Sequence, residues 1–167
     1  GTTATAVNLN ALDAKTTVNV NVAAVKTITG NESDVKTLYT NSAHFTGLTT
    51  QAVTITAADD IAAVDVDAIA DKTSGIVTAT VTADTAAILN GALADFGTQV
   101  NAYKLTVNND ATKTLATNLT GLDAKTSVAV DATAASITGI NGSSTEVAAA
   151  YAAKTAGTIS GLGDETV

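Results

Sequence analysis

Seven letters recur along this chain. LDAKTTV at 12–18 returns as LDAKTSV at 122–128, and a looser IADKTSG stands between them at 69–75. Self-similarity constrains a chain more than local propensity does, because every copy must take one conformation and bury its apolar face against a neighbour. The match runs well past seven letters. Thr5–Val18 aligns with Leu115–Val128 at a shift of 110 residues, VKTITGNESDVKTLY (25–39) corresponds to ASITGINGSSTEVAAAY (135–151), and FTGLTTQAV (45–53) corresponds to ISGLGDETV (159–167). IAAVDVDAIADKTSGIV (61–77) and TAAILNGALADF (85–96) form a degenerate middle copy. The period is roughly 55 residues, which divides one elongated domain into approximate units 1–56, 57–108 and 109–167.

Each period predicts two helices and two strands. In the first helix type Leu115, Leu119 and Leu122, then Leu9 and Leu12, then Val66 and Ile69 fall on one face. The second type carries Val35, Leu38 and Tyr39, then Leu89, Ala92 and Leu93, then Val147, Ala150 and Tyr151. Asn31 or Ser33, Asp84, and Ser143 or Ser144 with Glu146 are the candidate caps. Alternation predicts strands at 18–22, 52–56, 76–82, 103–107 and 128–133, with Val18, Val20 and Val22 on the inner face of the first. Within LDAKT, Leu12 or Leu122 is expected to pack inward and Lys15 or Lys125 to sit in the last helical turn. Strand and helix alternating at about 27 residues per turn require parallel strands joined by right-handed crossovers. The expected fold is therefore an α/β repeat solenoid, about 55 residues per double unit, with helices on one face of a parallel sheet.

Composition then narrows the function. Aromatic residues are 3% of the chain and Trp and Met are absent, so the core is built of small side chains that suit thin stacked layers. There is no Cys for a thiol nucleophile, thiolate metal site or disulfide, no Pro, and no Arg. A net charge of −8 disfavours nucleic acid and anionic membranes, and no apolar run is long enough to span a bilayer. No signal peptide is evident, and a start at Gly1 without Met reads as a piece of something longer.

The search for chemistry is thin. His44 has no second His or Cys to complete a metal site or triad, and is expected to be a loop residue without a role. The pairs Asp59-Asp60, Asp65-x-Asp67 and Asp164-Glu165 offer hard oxygens. Asp59-Asp60 reads as helix N-terminal charge, Asp65 and Asp67 lie on different helix faces, and Asp164 and Glu165, beside Gly161 and Gly163, are the candidate calcium ligands. Asp13, Asp71 and Asp123 of the repeated motif read as structural. Paired carboxylates without Arg, Trp or further His do not make a sugar-cleaving site. Stacked strands would align Thr54, Thr56, Thr78, Thr80, Thr82 and Thr106 into an array of the kind that engages ice or glycan, though Asn19, Asn21, Lys104 and Asp131 interrupt it.

ITG before a helix ending in AAYAAK, then ISGLGDETV, and LDAKTSV after a Leu-rich helix, together resemble the Ala/Thr/Asp-rich tandem repeats of giant secreted or cell-surface proteins of bacteria, marine and cyanobacterial ones especially. The resemblance covers nearly the whole chain. It implies an extracellular extender or scaffold with neighbouring repeats or copies of itself as partners, no catalytic residues and no cofactor. A calcium-dependent adhesin or a carbohydrate- or ice-binding module is the competing expectation.

Overall fold

The computed structural model describes residues 2–56, 60–93, 99–108, 113–133, 137–163 and 165–167. The chain divides into two compact units, Gly1–Thr80 with Asp95–Gln99, and Val81–Ala94 with Val100–Val167.

The first unit runs β1 (Thr2–Thr5), α1 (Ala6–Asp13), β2 (Val20–Asn21), β3 (Val25–Gly30), α2 (Glu32–Thr40), a 3-10 turn (Ser42–His44), β4 (Phe45–Thr46), β5 (Ala52–Ile55), α3 (Ala63–Ala70) and β6 (Val77–Thr80). β1, β3, β5 and β6 lie side by side and parallel, with Thr3 opposite Thr27, Ile28 opposite Val53, and Val53 opposite Val77. Partners so spaced stand 24 or 25 residues apart, and parallel strands that close in sequence need a crossover, which the helices supply. Period-two alternation sends Val53, Ile55, Val77 and Ala79 into the core and leaves Thr78 outside. In α2 the side chain of Asn31 accepts the amide of Asp34 at 2.8 Å, and Val35, Leu38 and Tyr39 form the buried stripe.

The second unit runs β7 (Asp84–Thr85), α4 (Ala86–Ala92), β8 (Ala102–Lys104), β9 (Val107–Asn108), β10 (Thr114–Leu115), α5 (Ala116–Asp123), β11 (Val130–Asp131), β12 (Ile140–Asn141), α6 (Ser144–Ala156) and β13 (Ile159–Ser160). Its pairs β7–β9, β10–β12 and β11–β13 are again parallel. α6 opens with a capping box, in which Ser143 and Glu146 each bond the other's backbone amide, and closes on Gly157 in the left-handed region. Leu89, Leu93, Tyr103, Leu105, Leu119, Leu122, Ile140 and Ile159 fill the core. The mixed α/β class and the parallel pairing agree with the sequence expectation.

Several local expectations do not hold. Val18 is 73% exposed, and only Val20–Asn21 of the 18–22 segment is strand. The longest strand among the described residues, β3, hides in VKTITG, where Lys26, Thr27 and Thr29 break the apolar pattern. Leu12 is 50% exposed although Leu122 and Ile69 at the aligned positions are buried, and Leu115 is the exposed cap of α5, outside its stripe. Thr85, not Asp84, caps α4 by accepting the Ile88 amide. Asp60 precedes α3 without entering its first turn, and Asp59 lies outside the described residues.

Glycines mark the close approaches. Gly47 and Gly161 both have positive φ, 83° and 86°, and a Cβ at either would press on Ala23 or Thr133 at 2.8 and 2.4 Å. Gly75 explains why IADKTSG ends in Gly where the other copies have Val: a Cβ there would stand 2.2 Å from the Gln51 carbonyl oxygen.

Candidate functional site

Of the two expected calcium ligands the structure describes Glu165. Glu165 Oε2 accepts the Tyr151 hydroxyl at 2.9 Å and the Gly163 amide at 2.8 Å, so this carboxylate pins the turn after β13 to α6. Asp164 lies outside the described residues. Among the described residues no three His, Asp or Glu side chains converge as a metal site would require.

His44 has a partner that sequence did not reveal: its Nδ1 lies 3.1 Å from Asp13 Oδ2, with the ring 61% exposed. The contact ties the end of α1 to the 3-10 turn, beside a small cavity also lined by Thr16, Thr17 and Asn19. Asp65 is likewise engaged, receiving Lys36 Nζ at 2.6 Å across α2 and α3, while Glu32 holds the same ammonium at 3.5 Å. The Asp65 hydrogen bond and charge raise the Lys36 pKa, against the smaller pull of desolvation. A groove of about 250 Å³ beside this pair is lined by Tyr39, Thr40, Ala68, Ile69 and Lys72 as well. Burial pushes the Tyr39 phenol well above its usual pKa, so it is neutral and unsuited to proton transfer near neutrality. The cation is already neutralised and the groove is small, which suits a helix joint better than a substrate.

The threonine row forms in part. Thr5, Thr29, Thr54 and Thr78 stand opposite one another across β1, β3, β5 and β6. In this row Thr78 is exposed, Thr29 and Thr54 are half-buried and the Thr5 hydroxyl is covered; of the other threonines of the expected array, Thr56 and Thr82 are exposed and Thr80 and Thr106 half-buried.

The most elaborate polar geometry is at the repeated motif itself. α1, α3 and α5 end alike: the amides of Ala14, Asp71 and Ala124 cap to the carbonyls of Asn10, Asp67 and Thr120, and those of Lys15, Lys72 and Lys125 to Leu12, Ile69 and Leu122. The threonine that follows then folds back, Thr16, Thr73 and Thr126 accepting the amides of Val18, Gly75 and Val128. Two of these hydroxyls also reach an earlier segment. Thr73 donates to the Gln51 carbonyl at 2.6 Å; Thr126 donates to the Tyr103 carbonyl at 2.6 Å and accepts the Tyr103 amide at 2.9 Å. Ser74 and Ser127 add amide bonds to Thr49 and Asn101. Gln51, fully buried, completes the first of these joints by donating to the carbonyls of Gly47 and Val25 at 2.8 and 3.2 Å.

The motif lysine does not serve its own helix. Lys125 Nζ reaches the carbonyls of Asn90 and Leu93 at 2.8 and 2.5 Å, at the end of α4, and Lys72 reaches Ser42 at 3.3 Å. This corrects the expectation of a last-turn cation: α1 and α5 stop before the lysine, and its length carries the charge to the preceding helix end. Among the motif aspartates, Asp13 bonds His44 and Asp71 is the exposed C-cap of α3. Set against protein-family models, curated proteins and solved structures, the chain matches none of them.

Proposed function

We propose that this chain is a structural element, an extender or scaffold segment whose tandem βα turns form a solenoid, and that it performs no catalysis. The observation that supports this best is the fate of LDAKT. In the copies at 69–75 and 122–128 its threonine and lysine, and the serine that follows, contact the backbone or a side chain of the segment before, which is the work of a joint between stacked layers. Letters spent that way need recurrence, since every layer must dock on the last. An acidic surface without Cys fits a secreted bacterial surface protein in saline surroundings. Neighbouring repeats are its partners.

X-ray scattering from the chain and from a head-to-tail tandem duplicate tests the reading. Layers repeat roughly every 5 Å from strand to strand and 8–10 Å from helix axis to helix axis, so six added βα turns should extend the maximum dimension by roughly 30–60 Å with a rigid profile. Growth by only about a quarter, as for one compact body of doubled volume, or the profile of two bodies on a flexible tether, would refute it.

A further inference from the structure

Two Asn-Gly steps stand in this sequence, Asn90-Gly91 and Asn141-Gly142. Such a step is chemically weak, because glycine puts no side chain between its amide nitrogen and the asparagine carboxamide. The fold treats the two unequally. Asn90 and Gly91 lie inside α4, where the carboxamide donates to Asn118 Oδ1 at 3.3 Å and the Asn90 carbonyl accepts Lys125. Bringing the Gly91 nitrogen onto the Asn90 carboxamide means unwinding that helix. Asn141 is the last residue of β12, a strand of two, and the chain bends at Gly142 into Ser143, the N-cap of α6. Rotation of the Asn141 backbone disturbs one pairing, that with Leu115.

Packing explains why the second step exists. α6 aligns with α2 through its N-cap, Ser143 for Asn31, which sets Gly142 at Gly30 and Asn141 at Thr29. A Cβ at Gly30 would stand 3.1 Å from the Ala6 methyl, and one at Gly142 would stand 3.4 Å from the Ala116 methyl and 3.1 Å from Glu146 Oε2. Glycine recurs ahead of the cap because the preceding helix begins against it, whereas the residue before it varies, Thr29 in one copy and Asn141 in the other.

We propose that Asn141-Gly142 is a self-modification site, at which the neutral amide converts to a carboxylate within the folded protein. The Gly142 nitrogen, losing its proton to solvent base, attacks Asn141 Cγ. The new C–N bond closes a succinimide ring as the bond to the side-chain nitrogen breaks, and ammonia leaves with a proton from water. A water molecule then adds to either ring carbonyl. Opening at the side-chain carbonyl gives aspartate; opening at the main-chain carbonyl gives isoaspartate, in which the main chain runs through the side chain and is one methylene longer. Either product adds one negative charge to the formal −8, ahead of a helix whose first turn already carries Glu146. The isoaspartyl form also shifts the Leu115 pairing against the Ser143 cap.

The full chain, folded, is held at mildly alkaline pH in heavy-oxygen water for as long as the chain in guanidinium takes to convert half of its Asn141, then cut after its lysines in ordinary water. Fragments Thr73–Lys104 and Thr126–Lys154 carry one Asn-Gly step each, and mass spectrometry reads the label in both. The folded chain should take label at Asn141, as aspartyl and isoaspartyl forms with the latter in excess, and at least about tenfold less at Asn90, whereas in guanidinium the two steps should react alike. Asn141→Thr, the residue of the aligned copy, should leave Thr126–Lys154 unlabelled with an unchanged circular dichroism spectrum. Label at Asn141 no faster than at Asn90 in the folded chain, label that survives Asn141→Thr, or aspartyl product alone overturns the site.

Discussion

Replacing the motif threonine by valine at each of its three positions separates a joint from a surface feature, because the shape is kept and only the hydroxyl is lost. Thr126 is 7% exposed and its hydroxyl makes three bonds, two to Tyr103 and one to the Val128 amide. A buried backbone group deprived of its partner costs about 1–3 kcal/mol, so Thr126→Val should destabilise by roughly 2–5 kcal/mol. Thr73, 5% exposed, loses the bond to Gln51 and the one to Gly75, for roughly 1–4 kcal/mol. Thr16 is exposed and accepts only the Val18 amide, which water can replace, so Thr16→Val should cost no more than about 1 kcal/mol. Urea titrations followed by circular dichroism supply all three differences. Equal costs at the three sites, or less than about 0.5 kcal/mol at Thr126, would refute the assignment of the hydroxyl to the joint.

Lys125→Met keeps the aliphatic stem but frees the Asn90 and Leu93 carbonyls; amide exchange at the end of α4 should quicken, with about 1–3 kcal/mol lost, whereas Lys15→Met should change little. The Ser143 amide and hydroxyl hold the Glu146 carboxyl below its usual pKa, so the stabilisation of α6 is complete above the unfolded glutamate value and lost as pH falls through the lower folded one. Glu146→Gln should flatten that acid limb of the melting curve, and an unaltered limb would count against the capping box. Gly161→Ala combines positive φ with the Thr133 backbone and should cost more than Gly157→Ala, where φ is 80° but the space is open, about 1–2 kcal/mol for the latter. Because Glu165 is spent on Tyr151 and Gly163, chelator or added calcium should leave the melting temperature unchanged; a rise with calcium concentration would restore the adhesin account.

What could be read from the letters alone was whatever obeys a period. The stripes Val35-Leu38-Tyr39 and Leu119-Leu122 and the inward faces of β5 and β6 follow from 3.6 and 2.0, and the structure buries them. β3 was illegible because a central strand with Lys26, Thr27 and Thr29 shows no clean alternation; its place is fixed by Thr27–Ala52 and Thr3–Thr27 pairing from both sides. Leu12 and Leu122 are both followed by Asp-Ala-Lys-Thr yet differ from half-exposed to buried, since exposure depends on what packs alongside and no local pattern encodes that. The same limit hid Asp13–His44 and Lys36–Asp65, whose partners are 31 and 29 residues apart.

The reach of the motif lysine follows from where the helices stop. α5 ends at Asp123, so Lys125 stands two residues past the last turn, where the amides of Ala124 and Lys125 meet the carbonyls of Thr120 and Leu122. Its ammonium instead reaches the Asn90 and Leu93 carbonyls at the end of α4. The lysine thus donates to the end of the previous helix, just as Thr126 supplies Tyr103 with both a donor and an acceptor. A motif whose polar atoms are satisfied backwards along the chain becomes useful only when another segment precedes it. Thr16 and Lys15, with the same letters and no such contact among the described residues, are therefore the places where a preceding layer would add the most stability.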